Sequence, residues 1–252
     1  MISIKSSWEI KLMRQAGAAS AAVRTAAAAA VRPGVTTAQI DAVVRKAIAS
    51  LGAEPAFLGV NGFPGAACVS VNDEVIHGVP GKRVIKEGDL VKIDVGARVG
   101  GYNGDTAITV PAGKISEDAA KLIAVTKQSF YEGIKFARKG NRLSDISAAI
   151  QKYVESEGFS VVRDYTGHGI GRELWEDPSV PNYGAAGHGP KLMPGMILAI
   201  EPMVNVGDWH VKVMPDRQTV KTADGKLSAH YEHTILITEG EPEILTAPET
   251  EI

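Results

Sequence analysis

Two kinds of patterning divide this chain. Residues 7–31 are dominated by Ala, Leu, Met, Lys and Arg and run into Pro33-Gly34, which predicts a helix with Ser7 as its N-cap. Thr37 opens a second helix that Gly52 closes. Residues 53–88 carry Pro55, Gly59, Gly62 and Pro64-Gly65, so they read as loops and short strands, with a strand-like CVSVN and a turn at His77–Gly81. From Leu90 the period becomes two. Val91, Ile93 and Val95 alternate with Leu90, Lys92 and Asp94, the pattern of a half-buried strand. Gly100-Gly101 turns the chain into a hairpin, and Thr106–Val110 is the return strand. Helical composition resumes over residues 117–137 and again over 143–158.

The order then repeats. Arg32, Gly34, Ile40, Ala42, Lys46, Ser50 and Gly52 recur at constant spacing as Arg138, Gly140, Ile146, Ala148, Lys152, Ser156 and Gly158. GDLVKID at 88–94 meets GMILAIE at 195–201, so Asp94 and Glu201 hold equivalent places. Gly104-Asp105-Thr106 corresponds to the segment around Glu232, with an insertion lengthening the second half. Neither helix–helix–hairpin half could bury its sheet alone, whereas together they would share one core. The expected architecture is mixed α/β, with halves of about 7–112 and 117–245 around a central antiparallel sheet. No linker or low-complexity segment separates them, so residues 1–252 read as a single catalytic domain.

Composition narrows the partners. The 252 residues are 44% hydrophobic and 22% charged with a net charge of −2, which gives no electrostatic footprint for nucleic acid or a membrane surface. The N-terminus has no continuous apolar run, and Ala26–Ala30 is too short to span a bilayer. A single cysteine, Cys68, excludes an internal disulfide and suits a reducing, cytoplasmic compartment.

Acids within strands carry the chemistry. A carboxylate among apolar and β-branched neighbours is costly unless it is paired or binds a metal. Asp94 and Asp105 in one half and Glu201 and Glu232 in the other would converge on a shared cleft. His168, between the glycines of GHGIG, completes the set. Two Asp, two Glu and one His suit a pair of divalent ions of the Mn, Fe or Co type, with Zn also compatible, if Asp105 and Glu232 bridge. GHGIG is not a phosphate loop, because Pro178 and Pro181 break the helix that would have to follow. Cys68 reads as a small buried residue, with a Cys68/His77 dyad as the sharper alternative. His188, His210, His230 and His233 read as surface or structural.

These motifs, with IEPM at 200–203, YEHT at 231–234 and NDEVIHGVP at 72–80, resemble the type I methionine aminopeptidases over residues 4–247. The compact length is similar to the bacterial form. The resemblance implies the pseudo-two-fold "pita-bread" fold of the creatinase/aminopeptidase group. It further implies a hydrolase that removes the initiator methionine from nascent chains with a small second residue. It assigns Asp94, Asp105, His168, Glu201 and Glu232 to two divalent metals, Glu201 to proton shuttling and His77 to the scissile amide. It implies a wall of Phe57, Val60, Phe63, Cys68 and Leu174, and a monovalent cation on the carbonyls of Asn72, Glu74 and Ser228. A cytoplasmic monomer with a transient ribosome contact is the expected setting. One departure stands out: Trp175 occupies the place of a substrate-contacting histidine. Gln218 likewise stands where a tryptophan is often found. The alternatives are a related X-Pro exopeptidase, or a weakly active or inactive peptide-binding relative because of Trp175.

Overall fold

The computed structural model describes residues 1–247. Helix α1 (Ser7–Ala29) is capped by Ser6, one residue ahead of the expected Ser7. The reason is a capping box. The Ser6 hydroxyl accepts from the Glu9 N–H, and Glu9 Oε2 accepts from the Ser6 N–H at 2.9 Å, so two helix-start donors are satisfied reciprocally. Thr36 and Gln39 do the same for α2 (Thr37–Ser50). Helices α3 (Glu117–Ile134) and α4 (Leu143–Ser156) follow the hairpin. Helices α1, α3 and α4 end short of their predicted stops, because the last amides turn back three residues instead of four (Ala30 N to Ala27 O, 3.1 Å; Phe136 N to Gly133 O, 3.0 Å).

The first half supplies β1 (Glu54–Pro55), β2 (Ala67–Val71), β3 (Glu74–Ile76), β4 (Leu90–Val99) and β5 (Tyr102–Pro111). The second supplies β6 (Ser160–Val161), β7 (Gly167–Gly169), β8 (Glu176–Val180), β9 (Ile197–Ile200) and β10 (Met203–Asn205). It continues with β11 (Val211–Val213), β12 (Val220–Thr222), β13 (Ser228–His230), β14 (Glu232–Leu236) and β15 (Glu243–Ile244). The main sheet runs β1-β4-β5-β14-β9-β7-β8, with β2 also on β4 and β15 on β14. Its paired strands are antiparallel, and the halves join where β5 meets β14. The expected insertion is β10 to β13. Strands β11 and β12 pair with β3 in a separate three-stranded sheet that closes over one side of the site.

One face of the main sheet is covered by the four helices. Val91, Ile93 and Val95 pack with Val23, Ala27, Ile40, Val44 and Ile48 of α1 and α2. Leu198, Ile200 and Ile235 pack with Leu122, Phe130, Ile146 and Ile150 of α3 and α4. Each such fully buried aliphatic side chain contributes about 1.5–3 kcal/mol, so the repeated halves supply two matched cores. Strand β4 is less exposed than its alternation predicts. Leu90, Val91, Lys92 and Ile93 are all buried, because the face away from the helices is also covered by protein.

Candidate metal centre

The strand registers bring the predicted acids together on the face away from the helices. Residues directly opposite in antiparallel strands share a face, as do residues two apart in one strand. Asp94 pairs with Ala107, and Ala107 pairs with Glu232. Asp105 lies two residues before Ala107. Across the sheet, Thr234 pairs with Ala199 and Ala199 with His168, and Glu201 lies two residues beyond Ala199. All five candidate ligands therefore point the same way. Thr106, His233, Leu198 and Ile200 point into the helices.

The geometry is tight. Ligand atoms of Asp105, His168 and Glu232 all lie within 4.8 Å of one another. His168 Nε2 is 3.8 Å from Asp105 Oδ2 and 3.7 Å from Glu201 Oε1. The glycines beside His168 allow its strand to fit. A Cβ at Gly167 would lie 2.3 Å from the Ala199 carbonyl oxygen, and one at Gly169 would lie 2.1 Å from that of Asp177. The His168 Nδ1 bonds the Gly169 carbonyl at 2.9 Å, which makes Nδ1 the donor and turns the Nε2 lone pair toward the acids. Burial lowers the pKa of His168 to about 4, so the ring is neutral at pH 7 and free to bind a cation.

Without a cation this cluster is unfavourable. Asp94 Oδ1, Asp105 Oδ1 and Glu232 Oε1 are buried with no hydrogen-bond partner. Desolvation is the leading cause that holds all four carboxyls above their ordinary range, and repulsion among them adds for Asp105, Glu201 and Glu232. Orphaned acceptor oxygens, mutual repulsion and a neutral imidazole are together the donor set of an oxygen-rich divalent metal site, so these residues fit the group expected of them.

A cavity of about 460 Å³ opens beside the acids. Phe57, Val60, Phe63, Cys68 and Leu174 line it, as the sequence predicts, and Trp175 stands in its wall half-exposed to solvent. His77 also faces it and packs edge-on against Tyr165 with ring centroids 5.9 Å apart. Its φ of 56° is in the left-handed region that non-glycine residues rarely adopt, and such strain concentrates at functional positions. Cys68 is not an activated nucleophile. It pairs across the strands with Asp94, and burial together with the neighbouring acids raises its thiol pKa well above normal.

Three features lie outside the sequence expectations. The hairpin loop between β11 and β12, with Val213, Asp216, Arg217 and Gln218, completes the cavity rim; the Gln218 amide donates to the Asn61 carbonyl at 3.0 Å. Of these residues the sequence singled out Gln218; nothing distinguished Val213, Asp216 and Arg217 from a surface loop. Two of the three carbonyls expected to hold a monovalent cation, those of Asn72 and Ser228, accept hydrogen bonds from a side chain of the protein. Lys92 Nζ donates to the carbonyls of Asn72 at 2.6 Å and Ser228 at 3.0 Å, and burial lowers its pKa to about 7. Finally, His230 is neither at the surface nor tied into a structural network. It is 1% exposed and its Nε2 lies 3.8 Å from Glu201 Oε2 and 3.9 Å from Glu232 Oε2. Parity was the available signal: His230 is two residues before Glu232 and shares its face. His233 falls on the other face, where it bonds Thr246 and Tyr231. His188 and His210 are exposed.

Residues 11–239 match metallopeptidase family M24. Over 246 residues the chain is 52% identical to methionine aminopeptidase 1 of Bacillus subtilis, covering 98% of this chain and 99% of that one. Its fold superposes on the crystal structure of methionine aminopeptidase from Thermotoga maritima with a TM-score of 0.96 and 49% identity, over 98% of this chain and 99% of that one. The prolidase from Pyrococcus furiosus shares the fold more distantly, with a TM-score of 0.79, 24% identity and 66% of that chain covered.

Proposed function

The chain belongs to metallopeptidase family M24, and on that premise we propose that it is an aminopeptidase that hydrolyses the initiator methionine from nascent polypeptides, preferring a small second residue. The observation that carries the reading is the joining of four buried or half-buried carboxyls and a neutral His168 to one end of a cavity of about 460 Å³ that also has an apolar wall. A thioether side chain suits walls of Phe57, Phe63 and Leu174, and such a pocket discriminates by about 1–3 kcal/mol per methylene. The full-length likeness to named methionine aminopeptidases, against a partial and weaker one to a prolidase, favours this substrate over an X-Pro peptide.

In this reading Asp94, Asp105, His168, Glu201 and Glu232 would hold two divalent ions of the Mn, Fe, Co or Zn type, with Asp105 and Glu232 the carboxylates that would serve both. The ions, when bound, supply Lewis acidity at the scissile carbonyl and lower the pKa of the attacking water. The protein does the rest. Glu201 takes a proton at a carboxylate oxygen and delivers it to the departing amine, a role suited to a carboxyl whose pKa burial has raised. His77 hydrogen-bonds the substrate near the scissile amide from a backbone held at a positive φ. The pocket walls exclude water and fix the methionine side chain, while Trp175 contacts the substrate at the cavity wall. Residues 1–252 act as one catalytic domain and work in the cytoplasm as a monomer, with transient contact to the ribosome at the emerging N-terminus.

Turnover of Met-Ala, Ala-Ala and Met-Pro peptides with Mn, Co or Fe added tests the reading. Met-Ala is expected to be the best substrate. Equal rates on Ala-Ala would refute methionine selectivity, and preference for the proline peptide would move the assignment to an X-Pro enzyme.

A further inference from the structure

His230 ends β13 in the layer beneath the acids and is 1% exposed. Neither ring nitrogen has a hydrogen-bond partner among the described residues. Leaving polar atoms unmet in such a place is unfavourable, yet the ring is held near His77 and Lys92 and aimed at two carboxylates. Its Nε2 is 3.8 Å from Glu201 Oε2 and 3.9 Å from Glu232 Oε2. These distances are too long for hydrogen bonds. They match the separations of His168 Nε2 from Asp105 Oδ2 and Glu201 Oε1, 3.8 and 3.7 Å. Bonds of about 2.0–2.2 Å to a common ion put neighbouring ligand atoms roughly 3–4 Å apart. Glu201 thus has a histidine nitrogen beside each of its oxygens.

We propose that His230 is a sixth protein ligand of the metal centre, giving a second imidazole nitrogen through Nε2 to an ion that Glu201 and Glu232 also touch. This rests on the reading of the acidic cluster as a divalent metal site. A second nitrogen donor makes the centre less oxygen-rich. It therefore favours Co, Zn and Fe(II) over Mn and disfavours Mg, because imidazole suits the later, softer ions. The Glu201 carboxylate is held between two rings instead of one, which fixes both of its oxygens.

Nitrogen NMR of the full chain labelled with 15N-histidine tests the assignment, with zinc titrated into the metal-free protein and metal content measured in parallel. Of the six histidines, two are expected to show a ring nitrogen shifted by metal, and His230→Gln is expected to show one. Zinc and cobalt affinity should fall roughly 10–100-fold in that variant, with a smaller loss for manganese and no loss of melting temperature in the metal-free state. Zinc bound with only one ring shifted, or zinc held equally well by His230→Gln, overturns the sixth ligand and leaves the metal centre standing. The wild-type count decides this even if the variant does not fold. Absence of zinc uptake by the wild-type chain overturns the metal-centre reading and this inference with it.

Discussion

His168 Nε2 stands 3.8 Å from Asp105 Oδ2, two groups from opposite halves of the chain that face one another beyond hydrogen-bond distance. The ring is neutral and its Nδ1 is committed to the Gly169 carbonyl. A cation between them resolves the encounter. Chelation should therefore abolish peptide hydrolysis while leaving the far-ultraviolet circular dichroism unchanged, and divalent metal should restore it. Asp105→Asn should cost several orders of magnitude in kcat, because one carboxylate serves both ions in the proposed centre. Full turnover in a verified metal-free sample would exclude the mechanism.

The same carboxyls set a pH dependence for the metal-free chain. Burial lifts the Asp94 carboxyl from its ordinary 3.8 to about 7. A carboxyl whose folded pKa lies above its unfolded value favours folding in its protonated form. Its contribution is fully present below about pH 4 and is lost as pH rises through about 7. The metal-free melting temperature should thus fall between pH 4 and 8 more steeply in the wild type than in Asp94→Asn. The metal-loaded protein should lack that difference in slope, since the ion stabilises the charged form. Parallel slopes for wild type and variant without metal would contradict the burial argument.

Lys92 predicts an insensitivity. Its buried amino group donates to the carbonyls of Asn72 and Ser228, so the wild-type melting temperature should not change when sodium is exchanged for choline at constant ionic strength. Lys92→Met removes both donors. The Asn72 carbonyl keeps the Ser228 N–H at 3.1 Å, while loss of the bond to the Ser228 carbonyl costs about 1–3 kcal/mol, offset in part by burial of the methionine, and thermal unfolding should shift down accordingly. A sodium-dependent wild type would mean that a free ion still shares the site.

The sequence carried this site because its chemistry follows parity along strands. Asp94, Asp105, Glu201 and Glu232 occupy equivalent places in a repeated hairpin, and a two-residue period turns equivalence in sequence into convergence in space. The same parity puts His230 beside Glu232 and His233 on the helix side. Residue type alone could not separate those two rings, and a reading of both as surface or structural did not place the first beside the acids. Lys92 was misread for a different reason. Alternation predicts a polar face, but whether that face meets water depends on β13 and the turn at Asn72, which lie far away in the chain. The cap of α1 lay one residue earlier than expected, at Ser6, and the C-terminal ends of α1, α3 and α4 fell two or three residues short, where the last amides turn back three residues.

Trp175 supplies the last prediction. It stands in the wall of the cavity that holds His77 and Glu201, with half of its surface exposed. A tryptophan offers one donor, its indole N–H, and no acceptor. A histidine is smaller and offers either role according to its tautomer. If substrate hydrolysis develops charge near this wall, the loss of a well-placed hydrogen bond costs about 10²–10³ in rate. Trp175→His should therefore raise kcat on Met-Ala-Ser, and metal content should be unchanged because Trp175 supplies none of the candidate ligand atoms. KM should rise modestly, since a large ring leaves the apolar wall. Steady-state kinetics of the two proteins at matched metal occupancy measures both terms. Equal or lower turnover in the histidine variant would show that this cleft works with the indole as part of its substrate wall.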